Sequence, residues 1–189
     1  MASHRRIRQL RPDFGTTTFG EIPACTGEAR EERLFEVTER LLSKVRYHGI
    51  FGIEWLHDVD DDELYLLDFN ARPFSSIGHL VDCGLNLPLA AYRELCGESP
   101  LGLQPRPPLR HGYWLDFNRD LESFAIKHTR GVLGWREWLA TLSRARSFAC
   151  FTLRDPGPGI YRLGQLAGVV ARGVSKYVTR RLRRRFAPR

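Results

Sequence analysis

Two segments, residues 50–57 (IFGIEWLH) and 63–70 (ELYLLDFN), flank the acidic link DVDDD. Each alternates in character with the two-residue period of a strand, and a short polar link between such runs predicts an antiparallel hairpin. Folding the pair about Asp61 sets Glu54 opposite Asp68 and Gly52 opposite Asn70. Opposed residues project to one face, so Glu54, Asp68 and Asn70 converge there. The same alternation sends Tyr65, Leu67 and Phe69 to the other face, where burial is expected. Arg72 keeps the parity of Asp68 and Asn70 just past the strand.

That face poses a chemical problem. Two directly opposed carboxylates repel unless a cation or a proton lies between them. Carboxylate and amide oxygens suit hard cations such as Mg²⁺, which usually retains positions for water or phosphate oxygens. Arg72 has the fork geometry for a phosphate or a carboxylate. Gly52, lacking a side chain, is expected to leave room for a ligand over the sheet. The plainer alternative is a partly solvated sheet face whose carboxylates pair with Arg72. The combination of an acid on one strand with acid-x-amide-x-arginine on the next favours the metal–phosphate reading.

The rest of the chain supports an α+β expectation. Residues 5–11 (RRIRQLR) and the β-prone stretch PDFGTTTFGEIPAC read as strands. A helix is predicted over GEAREERLFEVTERLLSKVRYHG, with Leu34, Val37, Leu41, Leu42 and Val45 at helical spacing and Gly49 as its stop. Short helices follow over 77–83, with Ser75 or Ser76 as caps, and from Pro88 to Cys96. GESPLGLQPRPPLR is a linker. Beyond it come a strand (HGYWLDF), two helices (NRDLESFAIKHTR and WREWLATLSRA) and a strand (SFACFTL). Trp114, Trp135 and Trp138 read as core aromatics, Asp116 and Asp120 as surface or helix-start acids, and His79 as a helix-surface residue or a substrate contact. The HDVDDDE stretch lacks the calcium-loop glycine and reads as a solvated turn.

Charge is unevenly placed. Residues 160–189 hold nine of the 29 Lys and Arg and no acid, so residues 1–159 carry 20 basic against 22 acidic groups, a net of −2. The tail carries an apolar stripe (Ile160, Leu163, Leu166, Val170, Val174) with arginines around it. Such a helix either docks on the body or meets an anionic membrane surface; a nucleic-acid track ranks below both. The four cysteines are scattered without a C-x-x-C pair, which disfavours a structural zinc or disulfide framework and fits a reducing, cytoplasmic setting. MASHRRIRQL has no apolar core of a secretory signal.

The stretch GIFGIEWL…LYLLDFNARPFSS, followed by GLNLPLAAYRELCG, resembles the C-terminal half of an ATP-grasp ligase. RRIRQLRPDFGTTTF resembles the strand pair that precedes this segment in carboxylate–amine ligases similar to D-aspartate ligase. The resemblance implies that Glu54, Asp68 and Asn70 ligate Mg²⁺ (or Mn²⁺) on ATP. It also implies that Arg72 contacts phosphate or stabilises the reacting acyl phosphate, and that Arg8 or Arg11 reaches the phosphates. The family more often has Glu where Asp68 stands. Its lobe with the phosphate-contacting lysines and adenine hinge would precede this segment, and no G-x-x-x-x-G-K-[ST] loop replaces it.

The expectation is therefore an α+β chain in three parts. Residues 1–100 form an ATP-grasp C-terminal lobe, mainly antiparallel sheet with helices. Residues 101–159 form an α/β extension packed on it, and residues 160–189 a basic amphipathic helix. The expected function is ATP- and Mg²⁺-dependent ligation of a carboxylate to an amine, completed by an N-terminal lobe or a partner subunit. The alternatives are a non-catalytic relic of such a lobe, or a module that binds a membrane surface or nucleic acid through its tail.

Overall fold

The structure is a computed structural model that describes residues 1–12, 14–24, 27–98 and 108–168. It is α+β. Strands β1 (Arg5–Gln9), β2 (Thr17–Ile22), β5 (Gly112–Leu115) and β6 (Ser147–Phe148) form one sheet in the order β1-β2-β5-β6. Its first two pairings are antiparallel and β5–β6 is parallel. Helices α4 (Phe117–Thr129) and α5 (Trp135–Arg144) fill the crossover that a parallel pair requires. Strands β3 (Gly52–His57) and β4 (Leu64–Asn70) form a separate antiparallel hairpin. Helices α1 (Glu28–Val45), α2 (Ile77–Cys83) and α3 (Leu87–Leu95) complete the elements, and a further helix occupies 157–168.

Strand β2 is buried on both faces, which explains why it reads TTFGEI with little solvent-facing alternation. On one face Ile22 packs with Leu80, Cys83 and Leu85 from α2 and the turn after it, with Phe74 at the margin. On the other, Phe19 and Leu115 pack with Ala145, Phe117 and Leu142 from the α4–α5 side. β5 pairs directly with β2 through Phe19↔Leu115 and Ile22↔Gly112, so the segment after residue 100 contributes a strand to the sheet of the first hundred. Much of the expected linker, residues 99–107, lies outside the described residues.

Several local expectations change. Helix α1 ends at Val45, and its C-cap is Arg46 (φ 51°) rather than Gly49, the Arg46 N–H returning to Leu42 and Ser43. Tyr65 and Leu67 are exposed, at 48% and 59%, rather than buried. Leu66, of the other parity, is 47% exposed too, so this part of β4 is open on both faces. A bulge also breaks the alternation here, since Glu54 pairs with Asp68 but Trp55 with Leu66, leaving Leu67 as the extra residue. Trp114 is core as expected, whereas Trp135 is exposed. Among the described residues no helix is long and apolar enough to cross a membrane. Ile160, Tyr161 and Leu163 of the last helix are exposed, and the rest of the basic tail, 169–189, lies outside the described residues.

Candidate metal–phosphate site

Folding about Asp61 gives the register of the hairpin's far half; from Trp55 to the turn the pairing is shifted by one, Trp55 lying opposite Leu66. Gly52 pairs with Asn70, Ile53 with Phe69 and Glu54 with Asp68. On the apolar face, Phe69 meets Tyr47 edge-on at 5.2 Å between centroids and stacks near Phe51 at 6.5 Å. The Tyr47 hydroxyl donates to the Ile50 carbonyl, which ties the end of α1 to the start of β3. This anchoring leaves Glu54, Asp68 and Asn70 on the opposite face.

On that face Asn70 Nδ2 donates to Asp68 Oδ2 at 2.6 Å. The amide is thereby oriented, and its oxygen has no hydrogen-bond partner among the described residues. Glu54 is paired with Arg6 at 2.8 Å, its side chain 42% exposed. Arg6 is itself held by Thr17 Oγ1 (3.0 Å), Gln9 Oε1 (3.1 Å) and the Gly15 carbonyl (3.2 Å). The cation beside these carboxylates is therefore Arg6 and not Arg72. Arg72 is exposed at the end of the strand, where Nη1 donates to the Pro73 carbonyl.

The space expected over Gly52 is filled by protein. A Cβ at position 52 would stand 3.2 Å from Phe74 Cδ1, so this glycine admits the Phe74 ring rather than an open ligand cavity. Phe74 thus closes one end of the polar face.

The upstream arginines separate at a β1 irregularity. Arg6 pairs with Gly20 and Arg8 with Phe19, so Ile7 is an extra residue that flips the side-chain parity. Arg6 then faces the hairpin, and Arg8 turns to the α4–α5 side. There its Nε and Nη2 grip both oxygens of Asp120 at 2.7 and 2.8 Å, with both residues buried. Arg11 is half-buried beside Glu122 at 3.4 Å. Neither is brought to Glu54 or Asp68. The residue that does arrive, Arg6, was hidden in RRIRQLR because a bulge leaves no mark on the alternation.

Other singled-out residues also take unexpected places. His79 is buried on α2, its Nε2 donating to the Gly112 carbonyl at 3.1 Å. Ser76 precedes α2 but makes no side-chain cap; its hydroxyl lies 3.5 Å from His4 Nδ1. Burial, with His79 and Arg6 nearby, lowers the His4 pKa to about 4. Asp116 caps α4 by accepting from the Arg119 N–H, as expected, whereas Asp120 is buried rather than a surface acid.

The donor set fits a hard cation in type: two carboxylates on facing strands and an oriented amide oxygen. Among the described residues no three His, Cys, Asp or Glu side chains gather into a metal cluster, so the third protein donor here is the amide of Asn70. No family model matches the chain, and no match was found among curated proteins or solved structures.

Proposed function

We propose that the hairpin face carrying Glu54, Asp68 and Asn70 binds Mg²⁺ (or Mn²⁺) with the phosphates of ATP, as the metal-bearing lobe of an ATP-grasp-type carboxylate–amine ligase. The observation that carries this reading is the direct cross-strand pairing of Glu54 with Asp68, with Asn70 hydrogen-bonded alongside. Opposed carboxylates that are not both neutralised by protein favour a cation between them. Bound there, the divalent ion supplies charge neutralisation for phosphate oxygens. Glu54, Asp68 and the Asn70 oxygen hold it. Arg72, exposed at the exit of β4, orients the transferring phosphoryl group or the substrate carboxylate. Arg6 holds Glu54 in place at 2.8 Å. Adenine recognition and the phosphate-contacting lysines belong, in this reading, to a further lobe or a partner subunit working in the cytoplasm.

A second reading has its own support in the Arg6–Glu54 pair: a relic lobe in which that ion pair has replaced the metal. Calorimetry of the full chain with ATP, with and without Mg²⁺, separates the two. The ligase reading predicts Mg²⁺-dependent ATP binding that disappears in Asp68→Ala/Asn70→Ala. ATP binding that ignores Mg²⁺ or that double variant overturns it. Absence of both ATP binding and divalent-ion binding favours the relic.

A further inference from the structure

On the opposite side of β1 from Glu54 lies an open cleft of about 430 Å³ between that strand, α4 and α5. Its apolar wall is Ile7, Phe19, Val132 and Leu133. Two cations line it while nearly withdrawn from solvent: Arg8 at 7% and Lys127 at 8% exposure. One buried carboxylate answers them, and it is saturated. Asp120 accepts from Arg8 Nε and Nη2, the Thr18 hydroxyl and the Trp138 indole N–H.

The charges do not balance. Arg8 is neutralised by Asp120, which leaves the Lys127 ammonium without a carboxylate. Its one acceptor among the described residues is the Gln9 carbonyl at 2.8 Å, an oxygen already accepting from Ser123. An ammonium has three donors. Arg8 also keeps Nη1 unspent among the described residues, since its hydrogen bonds run through Nε and Nη2. A buried cation without a counter-charge is costly. Burial, with Arg8 beside it, accordingly holds Lys127 below the ordinary lysine range. At the rim, Arg144 lies over the Tyr113 ring and Glu137 is exposed, so the rim charges offset one another.

We infer that this cleft is a binding site for a small monocarboxylate with a short apolar chain, its carboxylate on Lys127 Nζ and Arg8 Nη1 and its chain against Ile7, Val132 and Leu133. One missing negative charge calls for a monoanion. The apolar wall selects a carboxylate with a tail over inorganic phosphate, which would bring excess charge and no apolar surface. The site faces away from the hairpin and does not depend on the metal–phosphate reading.

Calorimetry on the full chain with hexanoate tests it, with hexanol, acetate and inorganic phosphate as comparison probes. Hexanoate is expected to bind about tenfold or more tightly than hexanol or acetate, the range that a lost charge-assisted hydrogen bond or a lost tail commands. Lys127→Met removes the charge and keeps the stem, and should weaken hexanoate by about tenfold. Val132→Glu, at a position 63% exposed and so harmless to folding, puts a repelling charge at the mouth and should weaken it likewise. Val132→Glu decides the matter if Lys127→Met does not fold. Hexanoate binding no tighter than hexanol, tighter binding of phosphate than of hexanoate, or affinity indifferent to the folded variants would overturn the inference.

Discussion

Asp120 accepts four hydrogen bonds at zero exposure and joins β1, β2, α4 and α5 through Arg8, Thr18 and Trp138. Removing it strands the Arg8 guanidinium. Asp120→Ala should therefore cost about 3–5 kcal/mol in urea unfolding, and a loss below about 1 kcal/mol would contradict this role. The sequence gives no hint of the pair because its partners are 112 positions apart and NRDLES reads as a helix start. The buried histidines give a pH dependence of definite sign. His4 titrates near 4 in the fold, depressed mainly by burial, against 6.5 for an ordinary histidine; His79 is lowered for the same reason, opposed by its bond to Gly112. The unfolded chain thus takes up protons that the fold refuses. Stability from these groups is full above pH 6.5 and falls as pH drops from 6.5 toward 4. Thermal unfolding at neutral pH and at pH 5 should show the decline, smaller in His4→Gln; equal declines in both proteins would count against it.

Among the elements, the hairpin was the most legible, because strand parity and a short polar link give its existence and the register of Gly52–Glu54. Glu54 opposite Asp68 needed no tertiary information. What parity could not supply was the bulges. One at Leu67 shifts the register of the hairpin towards its turn, and one at Ile7 sends Arg6 and Arg8 to different faces. A bulge is one residue of backbone irregularity, with no composition of its own here. The β1–β2 pairing offers a stricter test. A Cβ on Gly20 would fall 2.3 Å from His4 Nε2 and 2.9 Å from the Arg5 carbonyl, so backbone as well as side chain must shift. Gly20→Ala should destabilise by about 1–3 kcal/mol; an unchanged denaturation midpoint would refute that packing. Leu67, by contrast, lies open at the bulge, and Leu67→Thr should change stability by no more than about 0.5 kcal/mol. A larger loss would mean that this surface is covered.

At the scale of the whole molecule, the sheet has two faces with different work. Toward α2 and the hairpin it presents Arg6 to the oxygen-rich face of Glu54, Asp68 and Asn70. Toward α4 and α5 it holds Arg8 and Lys127 in a cleft with an apolar wall. The first was readable because its residues lie on one hairpin. The second was not, because β1, α4 and α5 meet only in three dimensions. The central claim, that the hairpin face is a divalent-cation site, is tested most directly by electron paramagnetic resonance of Mn²⁺ titrated into the full chain and into Asp68→Ala/Asn70→Ala. A divalent site on this face gives a bound-Mn²⁺ population in the unaltered chain that Mg²⁺ displaces and the double variant lacks. Free Mn²⁺ alone, or equal binding by both proteins, would contradict it.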